Sequence, residues 1–135
     1  MIRAASMTLA SLAIFAATAT AQEPDPENGR DLFLYFCAEC HGKEAKGGGP
    51  VAPALETPPP DLTGIAARNG GTFPLGEVAM RIDGRAPVMA HGDMPVYGPY
   101  LESDAFIAMR LPDNQQMMMP VPLADVLAYL RSIQE

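Results

Sequence analysis

Two cysteines and a histidine carry the most chemical information in this chain of 135 residues. Cys37-Ala38-Glu39-Cys40-His41 sets two thiols three positions apart, with an imidazole directly after the second. They are the only two cysteines in the chain. This spacing is the attachment pattern of a covalently bound haem. Each sulfur adds to one vinyl group as a thioether, and on a helical turn both sulfurs lie along the porphyrin edge. The His41 imidazole follows at once and can swing beneath the ring to ligate iron. Three other chemistries use the same residue types. A thioredoxin-like Cys-x-x-Cys belongs in a βαβ context, and none is visible here. A zinc site could be written from Cys37, Cys40, His41 and His91, but such sites pair two compact half-motifs and His91 stands alone. A Cys37–Cys40 disulfide would close a strained small loop.

A haem iron held by His41 needs a ligand on its other face, and a soft thioether suits it. Residues 86–99 carry Pro and Gly at close intervals and read as loop. Within them Met94 precedes Pro95, which puts a sulfur on stiff, non-helical backbone. Met94 is therefore the candidate sixth ligand. Met89, His91 and Met119 compete with it, and most of the nine methionines must fill gaps in packing.

The elements that must position these groups are mainly helices. Asp25 is a plausible N-cap and Pro26 a favoured first residue for a helix from Pro26 to about Cys37. Leu32, Phe33, Phe36 and Cys37 form its apolar face. Gly29 is unfavourable in a helix by roughly 1 kcal/mol, so it marks either a close helix contact or a frayed first turn. Residues 42–60, with Gly47–Gly49 and a run of prolines, form an irregular loop. It is not a phosphate cradle, because no Lys-Ser/Thr follows the glycines. This loop is expected to wrap the haem edge on the His41 side. Asp61 caps a short helix from Leu62 to about Arg68, stopped by Asn69-Gly70-Gly71. Pro74 opens another, with Leu75, Val78, Ala79 and Ile82 in phase and Gly84 as terminator. Ser103 is expected to cap a short helix through Arg110, and Pro112-Asp113-Asn114 is a turn. No convincing strand alternation is visible. Met117–Met119 is expected to fill a gap near the haem. Pro122 starts the last helix, Leu123 to about Ile133, with Val126, Leu127, Leu130 and Ile133 on one stripe.

Residues 1–21 read as a secretory leader. Arg3 is its positive start, Met7 to Ala17 its apolar run and Ala19-Thr20-Ala21 its cleavage site. The apolar run is shorter than the ~20 residues of a membrane span, although an uncleaved anchor is the alternative. Residues 22–135 then form a single domain in the periplasm, with no stable membrane insertion once the leader is removed. Nine Lys and Arg stand against 16 Asp and Glu, for a net charge of −7. Loss of Arg3 with the leader makes the remainder one unit more negative. No basic patch points to nucleic acid. An acidic surface serves solubility, or steers the chain toward basic docking faces at rates that fall with salt.

With these motifs in hand, the chain resembles a class I c-type cytochrome, the fold of mitochondrial cytochrome c and its bacterial periplasmic relatives. The resemblance spans essentially Asp25 to Ile133. Gly29 and Phe33, eight and four before Cys37, match the positions that pack on the C-terminal helix, where Val126 and Tyr129 match the contact. Pro53 and Leu55 match the Pro-x-Leu whose proline carbonyl accepts a hydrogen bond from the ligand imidazole. Met94-Pro95-Val96-Tyr97-Gly98 is similar to the axial segment of a bacterial subgroup that usually has Trp where Tyr97 stands. Tyr97 is accordingly expected to donate toward a haem propionate.

The resemblance implies an all-α fold of three to five helices around one covalent haem c, with Cys37 and Cys40 as attachments and His41 and Met94 as iron ligands. It implies single-electron transfer rather than catalysis. The implied partners are a quinol–cytochrome c reductase, a terminal oxidase or a periplasmic dehydrogenase. The alternatives are an electron-transfer subunit of a larger oxidoreductase, and a haem peroxidase or gas binder with a displaceable sixth ligand.

Overall fold

The computed structural model describes residues 22–85 and 94–135. The leader expected at 1–21, and the ligand candidates Met89 and His91, lie outside these residues. Among the described residues no helix is long and apolar enough to cross a membrane.

Helix α1 spans Pro26–Phe36. The Asp25 carboxylate accepts from the Glu27 and Asn28 amides at 2.8 and 3.3 Å, and Pro26 opens the first turn. This satisfies donors that a helix start leaves open. Helix α5, Val121–Ser132, packs against α1, and every residue from Leu123 to Leu130 is buried. The contact explains Gly29. A Cβ there would run into the Asp125 backbone carbonyl, so only glycine lets the helices approach this closely. Gly29 is thus a crossing point and not a frayed end. Phe33, wholly buried, stacks on Tyr129 with centroids 5.3 Å apart.

Asp125 is the one charged group buried in this interface, among the described residues. Its carboxylate accepts from the Asp25 amide and from Asn28 Nδ2, both at 2.7 Å. A buried carboxylate is tolerable only when so satisfied. The amino end of α1 also offers it a favourable dipole.

Helix α2, Ala38–His41, continues almost directly from α1. Helix α3, Ile65–Arg68, follows a turn in which Asp61 accepts from the Thr63 amide and hydroxyl. Helix α4, Leu75–Asp83, buries Leu75, Ala79 and Ile82 and stops at Gly84, whose φ of 70° is left-handed.

The segment expected to be helical from Ser103 to Arg110 is instead extended. Strand β1, Phe106–Arg110, pairs antiparallel with β2, Gln116–Pro120, with Ile107 opposite Met119 and Met109 opposite Met117. Pairing across the Pro112-Asp113-Asn114 turn supplies hydrogen bonds to both segments, and α5 receives the buried face of the hairpin. Among the described residues the result is a mostly helical domain with five α-helices and one small hairpin.

Candidate haem site

The site is built where α1 runs into α2. The His41 amide donates to the Cys37 carbonyl at 2.9 Å and the Cys40 amide to the same oxygen at 3.1 Å. One helical turn therefore carries both thiols and the imidazole. The end of α2 would leave carbonyls open, and the glycine loop fills them. Gly47, Gly49 and Val51 donate their amides to the carbonyls of His41, Cys40 and Glu39 at 2.8, 3.1 and 3.0 Å. Gly49 is required, since a Cβ there would strike the carbonyls of Ala38 and Glu39. The loop between 42 and 60 thus anchors the turn that bears His41. Its later part, Leu55 and Thr57 to Pro60, goes on to wall the cavity.

That cavity has a volume of about 580 Å³. Cys37, Cys40 and His41 line it, and so does Met94, 53 positions later in the chain. Most of the remaining wall is apolar, from Phe33 on α1, Leu62 and Ile65 around α3, Val78 and Ile82 on α4, and Val126 and Leu130 on α5. Arg68, Asn69, Glu77 and Arg81 add a few polar groups. A deep, mostly apolar cavity with a few polar groups is suited to a large rigid cofactor. The two thiols are not joined to each other. Burial, and then the neighbouring Cys40, pushes the Cys37 thiol up to about 12, so it stays uncharged at neutral pH. The Nδ1 atom of His41 is buried.

Two thiols beside one imidazole and a distant thioether, in one apolar chamber, fit a haem joined by two thioethers. They do not fit a compact metal ion. Among the described residues no group of three or more His, Cys, Asp or Glu side chains is placed to hold one.

The Met94 segment is pinned at Tyr97, three residues on, to two other elements. The Tyr97 amide donates to the Ile82 carbonyl at 3.1 Å, which ties it to the end of α4. The Tyr97 hydroxyl donates to the Phe36 carbonyl at 2.8 Å, which ties it to the end of α1 beside Cys37. The hydroxyl expected to donate toward a propionate is thus engaged with backbone in this structure. Burial, and then the two cysteines, raises the Tyr97 phenol above its ordinary value, so it remains a donor. The Phe36 ring packs edge-on to Tyr97 with centroids 6.0 Å apart.

Met119 does not line the cavity. It is buried in the hairpin opposite Ile107, Met117 lies close to Gly76, and Met118 is exposed. The three-methionine run therefore fills no gap beside the haem site. Arg68 and Arg81 were missed in the sequence, although Arg81 lies three residues after Val78 and so shares its helix face.

Compared with known proteins, residues 26–134 match the family model described as Cytochrome c. No curated protein and no solved structure matches the chain.

Proposed function

The chain belongs to the cytochrome c family, and from that premise we propose a monohaem carrier of single electrons whose iron is held by His41 and Met94. As a family member it is an electron-transfer haem protein, with haem c joined through Cys37 and Cys40. The observation that carries the ligand assignment is the convergence of Cys37, Cys40, His41 and Met94 on one apolar cavity.

When bound, the haem supplies one-electron ferric–ferrous exchange. The chain's own residues set the conditions for it. The glycine loop fixes the turn that presents the His41 imidazole, and the Pro53 carbonyl is the proposed acceptor for its other N–H. Tyr97, bonded to the ends of α4 and α1, fixes the backbone three residues after Met94. Arg68 and Arg81 are the basic groups that would meet the two carboxylates of the haem. The apolar walls keep water out and favour the less charged ferrous state.

With His41 and Met94 both engaged, no position is left open for a substrate, and the role is exchange rather than catalysis. We also infer export with loss of residues 1–21, and exchange with periplasmic or respiratory redox proteins such as a quinol–cytochrome c reductase, a terminal oxidase or a dehydrogenase. The test is the visible spectrum of the ferrous protein under carbon monoxide. An unchanged spectrum is expected. Rapid formation of a carbonyl complex would show an open site and favour a gas binder or peroxidase.

A further inference from the structure

We propose that the groove between α4 and the β-hairpin is a docking site for a basic amphipathic helix of a partner protein. Helix α4 has two working faces. Val78, Arg81 and Ile82 line the haem cavity, while Ala79, Met80 and Asp83 line a separate groove of about 770 Å³. The far side of that groove is the hairpin, with Phe106 and all of Met117–Met119, and Leu123 of α5 closes it.

Three large apolar side chains in this one groove are left in solvent. Phe106 is 57% exposed, Met118 61% and Met80 37%. Scattered single apolar residues need no explanation, but a contiguous set along a groove marks an interaction surface. The chemistry of the lining narrows the occupant. Methionine is unbranched, flexible and polarisable, and grooves rich in it accept the apolar face of a helix without demanding one sequence.

Charge narrows it further. Among the described residues the ionisable side chains on the groove are Asp83, Glu102, Asp104 and Arg85. Of these, the one cation among the described residues is already committed, since Arg85 bridges Asp83 and Glu102 with contacts of 2.6 Å to each. The rim therefore presents net negative charge to an incoming helix, which calls for Lys or Arg flanking its apolar stripe. A second copy of this chain, net −7, meets repulsion instead.

The location gives the site a use. A helix seated here lies behind α4 and leaves the walls bearing Cys37, Cys40 and Met94 uncovered. The chain could then stay tethered within a larger oxidoreductase while exchanging electrons at the haem. This last step rests on the electron-carrier reading. The docking itself does not.

The experiment uses the holoprotein and a fluorescein-labelled synthetic helix of Leu and Lys, 18 residues long, read by anisotropy. A Leu and Glu helix of the same pattern is the control. We expect the basic helix to bind, more weakly as salt rises, and the acidic one not to bind. The Phe106→Ser/Met118→Ser pair should weaken binding at least tenfold, and Asp104→Lys several-fold, with haem spectrum and midpoint potential unchanged. Met118→Ser alone, at the most exposed position, guards against misfolding of the pair and should weaken binding measurably. Absence of binding overturns the proposal. So does binding that ignores all three variants, which would be net charge acting elsewhere. Self-association that disappears in the Phe106→Ser/Met118→Ser pair overturns it too, in favour of a second copy. Groove-dependent binding in a protein that shows no reversible one-electron titration would uphold the docking site and remove the electron-carrier reading.

Discussion

Substituting Gly29 by Ala tests the helix crossing on which the haem chamber rests. The added Cβ meets the Asp125 carbonyl, which is backbone and cannot rotate away. Relief requires α1 and α5 to part. Parting them loosens Phe33 from Val126 and Leu127, all essentially without solvent exposure. It also stretches the two 2.7 Å hydrogen bonds that satisfy the Asp125 carboxylate. Overpacking of a tight site costs up to about 3 kcal/mol, and weakening two hydrogen bonds to a carboxylate adds about 1 kcal/mol. Better helix propensity of Ala returns about 1 kcal/mol. The net loss is about 3 kcal/mol, or a fall of about 12 °C in melting midpoint for a domain of this size. Far-ultraviolet circular dichroism of the ferric holoprotein measures it. Gly48→Ala is the control, since its Cβ meets nothing within 4 Å and only its φ of +70° is strained. That strain costs about 1 kcal/mol. A Gly29→Ala protein that melts no lower than Gly48→Ala would mean that the helices do not cross at this carbonyl.

Tyr97→Phe keeps the ring and removes the donation to the Phe36 carbonyl, so it should cost about 1 kcal/mol of stability and speed carbon monoxide entry to the ferrous protein; an unchanged entry rate would remove Tyr97 from the support of Met94. Cys40→Ala should leave at most one thioether, seen as weakened haem staining in a denaturing gel and a shifted pyridine spectrum, and normal staining with an unshifted spectrum would refute the attachment. Asp83 is held below its ordinary value of 3.8, chiefly by its hydrogen bonds to Arg85. The stability this pair adds is complete above the ordinary value and is lost as pH falls through the lowered one. Asp83→Asn should therefore flatten the acid limb of a stability–pH curve, and an unaltered limb would show the pair to be inert.

The parts of the fold that periodicity encodes were legible. Asp25-Pro26 marked the start of α1, Gly84 ended α4, and the apolar stripe of Val126, Leu127 and Leu130 placed α5 in the core, although the helix is buried on all sides from Leu123 to Leu130. Gly29 pointed to close packing or to a frayed first turn, and only the Asp125 carbonyl of the facing helix decides between them. The hairpin was not legible for a physical reason. Phe-Ile-Ala-Met-Arg mixes strand and helix formers over five residues, too few for a period of 2 to separate from one of 3.6. Only its partner strand, Gln116–Pro120, and the face of α5 settle it. The buried role of Asp125 was hidden for a similar reason, since its donors lie 97 and 100 residues away. The Tyr97 hydroxyl bond spans 61 residues and is equally invisible in local sequence. By contrast the two thiols and the imidazole stand out locally, because their spacing reflects the cofactor rather than the packing, whereas Met94 is one candidate among several in the sequence and only the fold brings it to the same cavity.

The most direct measurement of the account is the ferric visible spectrum of Met94→Ala beside that of Met119→Ala. A thioether on iron gives a weak sulfur-to-iron charge-transfer band at the red end of that spectrum. Met94→Ala should abolish it and lower the midpoint potential, because a thioether favours ferrous iron more than water or imidazole does. The variant should also bind carbon monoxide readily, or become bis-histidine through His91. Met119→Ala should keep the band, since Met119 is buried in the hairpin away from the cavity. Loss of the band in Met119→Ala with its survival in Met94→Ala would contradict the assignment of the sixth ligand.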